Sequence, residues 1–196
     1  MRMPLVLVLP FAFALGAAAA EPAVPADIEF DGDAYRFAAR EAAEARIAEH
    51  YLRADETLER FSRRLTVADQ PQATSAKAVA LGVMNIAKLR TPGIAPDSFV
   101  AEGTEERDLS VAWYDLTDDN SAVEYHVARF VSLAGGGVRE YHLTVRRYTN
   151  GNPPDAALGA LRRAHEPGTL RDVELLAALE RAPLRPAPAP VAKQKR

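Results

Sequence analysis

The sequence predicts an α+β domain in which N-terminal and C-terminal helices pack on one face of a four-stranded antiparallel sheet. Three observations carry this expectation. Residues 34–65 are rich in Ala, Glu, Arg and Leu and contain no Gly or Pro. After residue 97 the apolar spacing changes from a period near 3.6 to a period of 2. Turn-forming clusters at Asp118-Asp119-Asn120 and Gly135-Gly136-Gly137 join the alternating runs as hairpins.

The chain opens with Arg2, an apolar run from Leu5 to Leu15, and the small residues Ala18-Ala19-Ala20. That order is the pattern of a cleavable signal peptide over residues 1–20, with Glu21 as the first mature residue. The apolar run carries Pro4 and Pro10 and falls short of the ~20 residues that span a bilayer. The expected location is therefore periplasmic or secreted, with no membrane insertion after cleavage. Residues 21–32 hold Pro22 and Pro25 and read as a flexible leader that turns at Asp31-Gly32-Asp33.

From residue 33 to residue 182 the chain reads as one domain. Asp33 is the expected N-cap of a helix over 33–65, whose stripe is Ile47, Tyr51, Ala54, Leu58, Phe61 and Leu65, spaced by four and three. Thr74 or Ser75 caps a second helix, 74–90, that presents Ala76, Val79, Ala80, Val83, Ala87 and Leu89. The sheet, 98–149, begins at Phe99 and Val100 and continues through Leu109, Val111 and Trp113. It then runs through Val123, Tyr125 and Val127, and returns through Tyr141, Leu143 and Val145. Because the apolar residues of the last hairpin are odd-numbered, facing positions must sum to an even number, 270 or 272, which a three- or five-residue loop satisfies. Asp155 is the expected cap of a helix over 155–164, and Thr169 with Asp172 resembles a capping box opening a helix over 169–182. Residues 183–196 alternate Pro and Ala around Arg185, Lys193, Lys195 and Arg196 and read as a disordered basic tail.

Composition narrows the function. The chain has 24 Lys and Arg against 27 Asp and Glu, and removing residues 1–20 takes away one basic group, Arg2. An acidic body of this kind repels nucleic acid and anionic lipid, so no nucleic-acid partner is expected. The absence of cysteine removes disulfides, thiol nucleophiles and thiolate metal sites. No Gly-x-Ser-x-Gly elbow, His-Glu-x-x-His helix or phosphate-cradling glycine loop is present.

One local repeat stands out. Glu124-Tyr125-His126-Val127 returns as Glu140-Tyr141-His142-Leu143 on the other arm of the last hairpin. In the 270 register His142 faces Ala128 and lies diagonal to His126, about 7–8 Å away. The polar face so defined carries Tyr114, Glu124, His126, Glu140, His142, Thr144 and Arg146, with Glu124 and Arg146 placed as a cross-strand ion pair. Trp113 is expected on the apolar side, within reach of Tyr125 if those strands pair odd to odd.

These features predict an exported, non-catalytic protein that binds an unidentified protein or small-molecule partner through an open polar sheet face, with no cofactor and no metal. Two further expectations use the same residues or the tail. One is a metal-assisted or acid-base enzyme centred on His126 and His142. The other is an immunity protein or a cell-wall-associated structural protein, the tail making weak contact with the wall.

Overall fold

Asp31 and Gly32 both adopt left-handed backbone, with φ of 54° and 78°. A two-residue turn of that conformation matches the twist of paired strands. It joins β1 (Ile28–Phe30) to β2 (Asp33–Ala42), with Phe30 opposite Asp33. A computed structural model describes residues 26–91, 97–100 and 106–179. The expected signal peptide, residues 1–20, and the Pro/Ala tail, residues 183–196, lie outside the described residues.

The helix expected over 33–65 is instead three antiparallel strands: β2, β3 (Ile47–Leu52) and β4 (Arg63–Gln70). Asp33 accordingly starts a strand and caps nothing. Helix propensity is a weak preference, and pairing with burial on both faces overrides it. All six residues of β3 are buried, so the sequence shows no alternation there. The β2–β3 turn contains no Gly or Pro. It is closed by reciprocal backbone bonds, Ala43 N–H to Arg46 O at 2.9 Å and Arg46 N–H to Ala43 O at 3.2 Å.

Helix α1 (Ala76–Arg90) follows, and the Ser75 hydroxyl accepts from the Ala78 N–H at 3.1 Å, a side-chain cap. Strands β5 (Asp97–Val100), β6 (Asp108–Leu116), β7 (Ala122–Ser132) and β8 (Val138–Tyr148) then form an antiparallel meander. Two helices close the described chain, α2 (Pro154–His165) and α3 (Thr169–Ala177), with a 3-10 turn at Glu166–Gly168 between them. Their caps differ from expectation. Pro153 precedes α2 and Asp155 sits inside its first turn, while Gly168 precedes α3 and Thr169 is already helical, its hydroxyl donating back to His165 O.

All these strands belong to one sheet, in the order β1-β2-β3-β4-β8-β7-β6-β5. The expected four-stranded sheet is therefore half of an eight-stranded one. Nor are the helices gathered on one face. Ala157, Leu161 and Leu176 of α2 and α3 pack with Tyr51, Leu65, Tyr125, Val127 and Leu143. Ala76 and Ala80 of α1 pack with Val111, Ala128, Phe130 and Val138 on the opposite side. Alternate residues of β7 thus feed two cores, and the alanines of α1 let its backbone approach the strands closely.

The last hairpin adopts the 270 register, with Ser132 opposite Val138 across a five-residue loop. Gly137 in that loop has φ of 83°, and a Cβ there would lie 2.9 Å from the Gln70 carbonyl oxygen, so a larger residue would push into the end of β4.

Candidate functional site

The site is built from neighbouring positions on β6, β7 and β8. Ala128 faces His142, and His126 faces Thr144 on one side and Trp113 on the other. Since side chains alternate across a sheet, Trp113, His126, His142 and Thr144 share the face that α1 partly covers. Glu124, Glu140 and Arg146 belong to it by the same parity, as the sequence implies. Tyr114 does not. It pairs with Tyr125 and lies in the core beneath α2 and α3. The pairing of β6 with β7 joins odd to even positions, so Trp113 takes the place expected for Tyr114.

The two imidazoles meet. His126 Nδ1 and His142 Nε2 are 3.0 Å apart, and Thr144 Oγ1 lies 3.5 Å from each. The outer nitrogen of each ring faces a carboxylate: His142 Nδ1 is 3.1 Å from Glu140 Oε1, and His126 Nε2 is 3.3 Å from Glu124 Oε2, the latter less well aligned. Each carboxylate has a guanidinium on its second oxygen, Arg146 on Glu124 Oε1 at 2.7 Å and Arg46 on Glu140 Oε2 at 3.3 Å. Gln70 Nε2 also donates to Glu140 Oε2 at 3.2 Å. The result is a continuous polar row, Arg46–Glu140–His142–His126–Glu124–Arg146, running diagonally over the sheet.

This row is not the open, solvated face expected from sequence. His126 and Glu140 are 6% and 7% exposed, and Thr144 is fully buried. Stacking contributes to that cover. The Trp113 ring lies 4.7 Å from His126 at an interplanar angle of 9°. Arg146 stacks its guanidinium 4.0 Å over the Phe61 ring.

Burial alone would raise both glutamates. His126 and Arg146 outweigh it at Glu124, and His142 and Arg46 outweigh it at Glu140, so both carboxyls fall to about 2. His126 is held below the ordinary imidazole value, first by burial and then by the charge of His142, with Glu124 opposing. His50, which sequence assigned to a helix, lies on the same face in β3. Its Nδ1 is 3.0 Å from Thr66 Oγ1 and its Nε2 3.3 Å from Glu41.

Beside the row, α1 and the sheet leave a cleft of about 260 Å³. Val83, Ile86 and Ala87 of α1 form its apolar wall, Trp113 another side, and Arg90, Asp115, Glu124 and His126 its polar lining. Arg90 Nε is 3.0 Å from Asp115 Oδ2. Arg90, Asp115 and Arg46 escaped sequence reasoning. Arg46 sits in a turn read as helix, Asp115 depends on the parity of β6, and Arg90 on α1 lying over this face of the sheet.

Among the described residues no group of three or more His, Asp or Glu is arranged to hold a metal ion. The inner ring nitrogens supply two donors, and Thr144 adds only a neutral hydroxyl. No helix among the described residues is long and apolar enough to cross a membrane.

A protein-family model matches residues 22–171, and the chain belongs to that family. No curated protein matches the chain, and no solved structure does.

Proposed function

For this family member we propose an exported, non-catalytic binding protein that takes a small ligand, or a side chain of a partner, in the cleft between α1 and strands β6 and β7. The observation that carries the reading is the composition of that cleft. Apolar walls from α1 and Trp113 face a polar floor of Arg90, Asp115, Glu124 and His126, the division of labour typical of ligand sites. The preferred ligand has an apolar body against Val83 and Ile86 and a polar end toward the floor.

The acid-base alternative is weaker. The inner nitrogens of His126 and His142 are turned on each other, and the carboxylates beside them are paired with arginines, so these groups are occupied in holding one another.

The test is native mass spectrometry of the protein recovered from the envelope fraction of its own cells. A mass beginning at Glu21 and a bound adduct are expected, and Val83→Trp, which fills the cleft, should lose the adduct while retaining its melting temperature. An unprocessed chain in the cytosol would refute export. A folded Val83→Trp that kept the adduct would refute the site.

A further inference from the structure

The row Glu140–His142–His126–Glu124 contains three successive contacts between ring nitrogens and their neighbours: 3.1 Å, 3.0 Å and 3.3 Å. A favourable contact needs one proton between each pair of atoms. Two neutral imidazoles carry two N–H groups in all. If both outer nitrogens donate to the glutamates, the inner nitrogens confront each other with lone pairs at 3.0 Å. If one proton sits between the rings, an outer nitrogen presents a lone pair to a carboxylate. Either neutral arrangement leaves one contact without a proton between its atoms, and the Thr144 hydroxyl, 3.5 Å from both inner nitrogens, can donate to only one of them.

We infer that the His126–His142 pair is a cation-binding site whose occupant is one proton, shared between the facing nitrogens Nδ1 and Nε2 and clamped by Glu124 and Glu140. A third proton satisfies all three contacts at once. The carboxylates meet the resulting charge with Glu124 Oε2 and Glu140 Oε1, leaving their other oxygens to Arg146 and Arg46. A metal ion fits the gap less well. Two nitrogens on a tetrahedral zinc stand about 3.3 Å apart, wider than the 3.0 Å observed, and no third charged ligand approaches.

The remaining charged neighbours come from every element around the pair. Asp115 on β6 favours the bound proton. Arg90 of α1 lines the same cleft but is paired with Asp115. Arg64 on β4, directly opposite Thr144, opposes the proton, while His50 on β3 lies one strand beyond Thr66. A second added proton would place two positive rings side by side in the same burial, so the pair has room for one. Trp113, stacked on His126, reports the state directly, because an imidazolium quenches an adjacent indole more strongly than a neutral ring. Trp113 is the sole tryptophan of the chain. The inference concerns the row itself and stands without any ligand in the cleft.

The experiment is NMR of the full chain labelled with 15N-histidine, with Trp113 fluorescence followed in parallel from mildly acidic to alkaline pH. At neutral pH the His126 and His142 rings should show three N–H protons. One should be lost in a single-proton step as pH rises, with a matching rise in fluorescence. Glu140→Gln removes one clamping charge and should move that step to lower pH by about one unit or more. Glu124→Gln attacks the other end and should do the same. Two N–H protons on the unsubstituted pair at neutral pH would overturn the inference, as would a step unmoved in both folded variants. Equimolar zinc or copper that displaced the inner proton and raised the melting temperature would overturn it in favour of a metal site.

Discussion

Trp113 stands directly opposite His126 across β6 and β7, and the two rings stack nearly parallel with centroids 4.7 Å apart. Stacked aromatic pairs contribute about 0.5–1.5 kcal/mol beyond the area they bury. Trp113→Leu should therefore lower stability by roughly 1–3 kcal/mol in urea unfolding, while Trp113→Phe, which preserves a ring over His126, should lose less than half of that. Equal losses in the two variants would show that the stack contributes nothing beyond volume.

Acid should unfold the protein through Glu124 and Glu140. Both carboxyls lie at about 2 in the fold against an ordinary value of 4.5. Their stabilisation is in full above about pH 4.5 and is lost as pH falls through about 2, at roughly 1–3 kcal/mol each. Asp172 works in the opposite sense, because burial raises its carboxyl and acid relieves it. Melting temperatures measured down the acid limb should fall steadily, with a shallower slope in Glu124→Gln. A flat profile between about pH 4.5 and pH 3 would contradict the assignment.

Arg139 and Asp69 form a buried two-point ion pair on β8 and β4, at 2.7 and 2.8 Å. Arg139→Met takes both of these contacts from a buried carboxylate and should cost about 3–5 kcal/mol. Adding Asp69→Leu should recover part of that loss. A double variant as unstable as the single one would show that the cost lies in packing and not in the lost ion pair.

The glycine loop separates two kinds of backbone demand. Gly136 has φ of 93° with open space around it, so Gly136→Ala should cost about 1–2 kcal/mol from conformation alone. Gly137 adds the close approach of Gln70 O, so Gly137→Ala should cost visibly more. Chemical denaturation of the two variants side by side checks the order.

The second half of the sheet was legible because the apolar residues of β7 and β8 share one parity and so demand an even register, which placed His126 diagonal to His142 and Glu124 against Arg146. The first half was hidden. In β2 a bulge between Phe37 and Ala39 shifts the alternation, and in β3 burial on both faces leaves no polar positions to mark it. Ala-rich and Glu-rich strands joined by a turn without glycine carry the local signature of a helix. Tyr114 was misplaced for a different reason. Strand β6 is buried on both faces, so its parity relative to β7 depends on a turn whose length the sequence does not announce. The burial of the polar row followed from neither pattern, since it depends on α1 crossing to the side opposite α2 and α3.

The seam between β4 and β8 has a consequence for how the chain matures. Residues 63–70 pair with β3 along one edge, but their other edge finds its partner only in residues 138–145, so the first meander keeps that edge bare until the last strand is available. Such distant pairing slows folding and leaves an adhesive ribbon exposed in the interim. Completion of β8 joins the two halves of the sheet, and it also brings Glu140 and His142 to Arg46 and His126, so the polar row and the finished molecule come into being in the same step.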